Sequence, residues 1–163
     1  MGRDVTTIER RSDPSATGRI LRALPSWFGI EEAILGYVDD ASVMSGYLAV
    51  EGSETVGVAL VHRHFPESAE LHLIAVHPDA RGSGVGSRLV AAIEDDLRSD
   101  GVRILQVKTT GESFEHEGYA QTRAFYRSRG FVPVEEIRGL VWEGPTLLLV
   151  KALGQPVAGR RNQ

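Results

Sequence analysis

The chain of 163 residues contains no cysteine. That excludes disulfide bridges, thiolate metal sites and a cysteine nucleophile. It has no apolar run near the roughly 20 residues that cross a bilayer, and no charged-then-apolar leader. The expectation from these two absences is a cytoplasmic protein without a membrane partner. An excess of positive charge is missing as well. Lys and Arg number 18 against 22 Asp and Glu, a net charge of −4, which argues against nucleic acid as an electrostatic partner. Histidines and carboxylates nowhere recur at a spacing that suggests zinc, so no metal is expected. Internal repeats and low-complexity stretches are also absent.

What is present describes an ordinary globular domain, with 42% hydrophobic and 25% charged residues. This length buries a single core. One domain is expected over residues 1–153, followed by a polar, glycine-bearing tail over 154–163 that is expected to be disordered. Met1-Gly2 with Thr6 formally matches an acylation signal, but Val5 to Ile8 reads as the first strand and the match is discounted. Asp13-Pro14 reads as a helix entry, with Ile20, Leu21 and Leu24 at helical spacing before Pro25. A second helix is predicted from Ile30 to about Tyr37. Gly46–Glu51 and Val56–His62 form a hairpin, and Glu70–Val76 is the next strand. A helix over Ser87–Leu97, a strand over Val102–Lys108, a helix over Ala120–Arg129 and a closing pair of strands, Val132–Glu136 and Thr146–Lys151, complete an α/β pattern.

The most informative segment joins the strand at Glu70–Val76 to the helix after it. Its turn, Arg81-Gly82-Ser83-Gly84-Val85-Gly86, holds three glycines where backbone amides converge ahead of a helix N-terminus. Such a turn is an anion site, and Arg81 adds a cation at its entrance. A Walker loop requires Gly-Lys-Ser/Thr at the helix start, where this chain has Gly86-Ser87-Arg88. A dinucleotide fingerprint requires glycine at its sixth position; counted from Gly82, that position is Ser87. The arrangement that fits is Arg-x-x-Gly-x-Gly, carried by Arg81, Gly84 and Gly86 after Val76-His77-Pro78.

This motif resembles the acyl-CoA pyrophosphate loop of the GNAT superfamily, the Gcn-related N-acetyltransferases. Downstream, Thr122-Arg123-Ala124-Phe125-Tyr126-Arg127-Ser128-Arg129-Gly130-Phe131 is similar to the family's late helix, and the resemblance covers about Ser45 to Leu153. It implies a single-domain GNAT fold: a mixed, mostly antiparallel sheet with a central parallel strand pair that splays apart, flanked by helices. It also implies transfer of an acetyl group from acetyl-CoA, as co-substrate, to a primary amine by direct attack on the thioester. A homodimer is consistent with the family.

The resemblance carries site residues over one at a time. Tyr126 matches the tyrosine that protonates the departing thiolate. Ile74 and Val76 correspond to the strand that pairs its backbone with the pantetheine arm, where a free amide stabilises the oxyanion. Arg81, Gly82, Ser83, Gly84, Val85, Gly86 and Ser87 form the pyrophosphate loop. Many members have an asparagine seven residues before the tyrosine; here Tyr119 stands there, so either its hydroxyl substitutes or that contact is lost.

A lysine-like amine with pKa about 10.4 is mostly charged at pH 7, a penalty of about 4–5 kcal/mol, so a base is needed. Glu70, eleven residues before Arg81, is the first candidate, and His72 shares its strand face. Either could act, or both could hold a water wire; His62 and His64 are weaker candidates. Trp27 and Phe28 either wall the acceptor pocket or seat the helices. The connector from Thr109 to Tyr119 carries Glu112, Glu115 and Glu117, whose carboxylates would draw a cationic small-molecule or peptide amine. Two alternatives stay open: a non-catalytic acyl-CoA-binding sensor or scaffold, and a nucleotide-binding domain using the same turn.

Overall fold

A computed structural model describes residues 5–154. The Met1-Gly2 match and residues 155–163 of the expected tail lie outside the described residues. The elements run β1 Thr6–Glu9, α1 Pro14–Arg22, α2 Glu31–Ala41, β2 Ser45–Glu51, β3 Glu54–Phe65, β4 Ser68–Val76, α3 Val85–Ser99, β5 Ile104–Thr110, α4 Glu117–Ser128, β6 Val132–Arg138 and β7 Pro145–Ala152. A 3₁₀ turn over Pro78–Ala80 precedes the glycine turn. The order follows the sequence expectation; several boundaries move.

The strands form one seven-stranded sheet in the order β1-β2-β3-β4-β5-β7-β6. Every adjacent pair is antiparallel except β4 and β5. The two faces carry separate cores. Leu89, Ile93 and Leu97 of α3, with Tyr126 of α4, pack on one. Ile20 and Leu21 of α1, with Ile34 of α2, pack on the other. Leu89 and Ile93 are wholly inaccessible, and each such side chain contributes roughly 1.5–3 kcal/mol of burial. That fastens α3, and the glycine turn before it, to the sheet.

Local chemistry explains most of the boundaries. Asp13 caps α1, its carboxylate accepting from the Ala16 amide at 3.0 Å, and Pro14 occupies the first helical position. The helix after the glycine turn starts at Val85, not Ser87, because Gly84 in the left-handed region (φ 82°) is its N-cap. Helix α2 runs to Ala41, beyond the expected end near Tyr37, and this extension brings Asp40 to the sheet.

One irregularity in β4 matters most. Leu60 pairs with Leu73 but Val61 pairs with Leu71, so His72 is the extra residue of a β-bulge. The bulge resets the alternation of faces. Ala69 and Leu71 enter the core beneath α3 and α4, whereas Leu73 and Ala75 enter the core beneath α1 and α2.

Candidate active site

Strands β4 and β5 are paired only through Ser68↔Ile104, Ala69↔Leu105 and Glu70↔Gln106. Beyond Glu70 they part, and the β5-facing backbone of Leu71–Val76 has no strand partner while its other edge stays bonded to β3. A cleft of about 920 Å³ opens in this gap, near the upper end of small-molecule sites. Its walls include Ile74, Val76, Arg81, Gly82, Gly84, Val85, Gly86 and Ser87, and further along Tyr119 and Tyr126. Ser83 is not on the wall; its hydroxyl donates to the Ala80 carbonyl at 2.6 Å and braces the turn.

The glycine turn has the properties of an anion cradle. Gly82 and Gly84 both have positive φ, 79° and 82°, a conformation that side chains disfavour. Gly84 caps α3 without a side-chain hydrogen bond, which leaves first-turn amides of the helix unpartnered. A Cβ on Gly86 would come within 3.2 Å of the Phe125 ring. Backbone, α3 and α4 therefore approach each other here with no room for a side chain. The Arg81 guanidinium lies over the Trp27 ring, 4.7 Å from its centroid.

Tyr126 is buried on the cleft wall between Phe125 and Phe131. Burial, with the nearby Tyr37 phenol, pushes its pKa well above the ordinary tyrosine value. Tyr119 stands in the first turn of α4, and its hydroxyl donates to the Trp27 carbonyl at 3.3 Å. The loop before α2 and the start of α4 are thereby tied across the cleft.

The two base candidates sit in different settings. His72 lines the cleft and Glu70 does not. Glu70 Oε1 meets His64 Nε2 at 2.7 Å, Lys108 Nζ at 3.2 Å and Gln106 Nε2 at 3.4 Å. Burial raises its pKa, but His72, His64 and Lys108 outweigh that and hold it down at about 2. His72 Nε2 is 2.8 Å from Asp40 Oδ2, and its Nδ1 is 3.9 Å from Glu70 Oε2. Glu70 raises the His72 pKa, burial opposes this, and Asp40 adds to the rise.

Much of the cleft wall is aromatic. Trp27 and Phe28 both line it, and both also pack against the core beneath α1 and α2. Phe114 and Trp142 meet edge to face at 5.3 Å on the rim. Among the described residues no aspartate or glutamate lines the cleft, so Glu112, Glu115 and Glu117 do not supply the expected anionic wall. Glu112 faces Arg127 at 3.8 Å instead. Two buried polar atoms on the wall have no protein partner: Thr146 Oγ1 and His116 Nδ1. Asp40, Lys108, Phe114, Trp142 and Thr146 were not singled out from sequence as site residues. Only Lys108, on the strand expected to splay from β4, carried a signal that could have found it.

Comparison with known proteins agrees with this geometry. The family model of the acetyltransferase (GNAT) domain matches residues 44–133. The chain is 33% identical over 110 residues to the mycothiol acetyltransferase of Nocardiopsis dassonvillei, an alignment covering 62% of this chain and 32% of that protein. The chain thus spans about a third of the curated relative it matches. Among solved structures, a GNAT-family protein from Desulfovibrio desulfuricans superposes with a TM-score of 0.78 at 22% identity, covering 92% of this chain and 100% of that one. A GNAT family acetyltransferase from Elizabethkingia anophelis, solved with acetyl-CoA bound, gives a TM-score of 0.68 at 20% identity, covering 90% and 97%.

Proposed function

Because the chain belongs to the GNAT acetyltransferase family, we propose that it transfers the acetyl group of acetyl-CoA to a primary amine in the β4–β5 cleft. The observation that carries this reading is the alignment of three features along one gap: the uncapped α3 N-terminus, the unpaired β4 edge and the buried Tyr126. The Gly82–Ser87 turn and Arg81 suit a pyrophosphate, and the amides near Ile74 and Val76 suit an extended amide-bearing arm. The thioester, when bound, supplies the activated acetyl carbon. The amine nitrogen bonds to that carbon as the carbon–sulfur bond breaks; one proton leaves nitrogen and one is taken by sulfur.

The residues divide that work. The role of base is better suited to His72 than to Glu70. A carboxylate with pKa near 2, already bound by three donors, is a poor acceptor of an ammonium proton. Asp40 accepts from Nε2–H of His72, which leaves Nδ1 to take the proton directly or through water. Glu70 then serves as the carboxylate that balances the imidazolium, and it links His72 to the half-exposed His64. Tyr126 donates to the sulfur. With its pKa raised above the ordinary value of about 10, full transfer to a thiolate near 8.5 is uphill by more than about 2 kcal/mol. A hydrogen bond that strengthens as charge reaches sulfur is the better description.

The direct test is release of free CoA from acetyl-CoA across an amine panel, with the product identified by mass. Binding of acetyl-CoA without turnover of any amine would overturn the catalytic reading and leave an acyl-CoA-binding module.

A further inference from the structure

The acceptor half of the cleft combines three features that the transfer chemistry does not require. Its walls and rim are aromatic, with Phe28, Phe114 and Trp142 prominent among them. Trp142 is fixed in place, its Nε1–H donating to the Pro145 carbonyl at 3.2 Å and its ring covering Gly144. No carboxylate faces the space among the described residues. Finally, Thr146 is 2% exposed, and its hydroxyl, on the cleft wall, has no partner. A buried hydroxyl without a partner is costly, and a ligand atom is the natural recipient of its hydrogen bond.

Lys108 and His72, both on the wall, are balanced from behind. Lys108 Nζ meets Glu70 at 3.2 Å, and His72 meets Asp40 at 2.8 Å. Their partners lie outside the lining, so among the described residues no surplus carboxylate faces the cleft. A polycationic amine would leave its additional charges unpaired there, which is costly in a partly enclosed site. An aromatic ring would meet edge and face partners at the rim, and an oxygen acceptor would meet the Thr146 hydroxyl.

We infer that the acceptor is a primary amine bearing an aromatic ring and an uncharged or anionic oxygen group, the chemistry of an aromatic amino acid or its amide. This rests on the cleft being the acetyl-transfer site proposed above. The test compares L-phenylalanine, L-phenylalaninamide and spermidine as acceptors, with CoA release as readout. At least one aromatic amine is expected to exceed spermidine in kcat/KM by about tenfold or more. Thr146→Val keeps the shape and removes the hydroxyl, so it folds; it is expected to raise KM for the aromatic amines by more than for spermidine. Trp142→Ala is expected to act in the same direction. A preference for spermidine, or aromatic-amine kinetics indifferent to Thr146→Val, would overturn the inference while leaving acetyl transfer intact. If no amine is turned over, calorimetric titration of the CoA-loaded protein with L-phenylalaninamide decides separately. Binding that weakens in Thr146→Val upholds the acceptor class and rejects catalysis; absence of binding rejects the acceptor class.

Discussion

Asp40 and His72 meet across 32 residues of sequence, with Oδ2 of one 2.8 Å from Nε2 of the other. The contact joins the last turn of α2 to the bulge of β4. His72 has its second nitrogen towards Glu70 and its ring 5.4 Å from that of Tyr37. These neighbours make the imidazole an oriented proton acceptor whose charged form is favoured.

Asp40→Asn is therefore expected to change the pH–rate profile. With two carboxylates near it, His72 keeps its proton to higher pH than a free imidazole, and the acidic limb of kcat/KM moves upward with it. Removing the Asp40 charge lowers the His72 pKa, so the limb should move to lower pH. The plateau should fall by less than the roughly hundredfold that complete loss of a general base costs. A variant profile overlying that of the wild type would show that His72 does not govern the rate.

Glu70→Gln separates electrostatic support from chemistry. The Glu70 pKa, about 2 in the folded chain, lies below the unfolded value of about 4.3. Its contribution is therefore present above pH about 4.3 and is lost as pH falls towards 2. Near neutrality the substitution should destabilise the protein by on the order of 2–3 kcal/mol. The gap in melting temperature between the two proteins should narrow as pH drops from about 4 towards 2. A gap independent of pH would mean that the cost comes from packing and not from the charge cluster formed with His64, His72 and Lys108.

How far these features could be read from sequence depends on how local they are. The glycine turn and α4 were legible because positive φ at Gly84 and the helical spacing around Tyr126 are written in consecutive residues. The parting of β4 and β5 followed from the family resemblance. Asp40 was hidden for a physical reason: Asp39 and Asp40 sit at the C-terminal end of α2, where negative charge opposes the helix dipole, and the pattern suggested an earlier stop. The surroundings of Glu70 were hidden because His64 comes from β3 and Lys108 from β5, and strand register is not visible in one sequence. The bulge at His72 is likewise a property of pairing with β3. The resemblance suggested Glu70 as the base; the cations gathered around it are the reason His72 is proposed in that role, with Glu70 as its counter-ion.

The pyrophosphate assignment is tested at two glycines that differ in mechanism. Gly84→Val places a branched side chain at φ 82°, which is strained whatever the surrounding space. Gly86→Val adds bulk 3.2 Å from the Phe125 ring. In both variants the rise in melting temperature on adding acetyl-CoA should disappear. In the wild type, acetyl-pantetheine without the nucleotide should give a much smaller rise than acetyl-CoA. Undiminished acetyl-CoA affinity in both variants would remove the turn from the cofactor site.

Tyr126→Phe distinguishes a catalytic phenol from a packing one, because only the first predicts a loss of turnover. Tyr126 is 6% exposed and lines the cleft. Deleting its hydroxyl leaves the ring contacts with Phe125 and Phe131 in place. Stability should therefore be largely unchanged. Turnover should fall by on the order of a hundredfold, with little change in acetyl-CoA affinity, since the hydroxyl acts once charge develops on sulfur. A phenol used for packing alone would leave turnover intact under conditions where chemistry limits the rate. Loss of turnover together with loss of stability would instead point to a disturbed core. The expected result, an unchanged fold and a slower acetyl transfer, is one that packing alone does not produce.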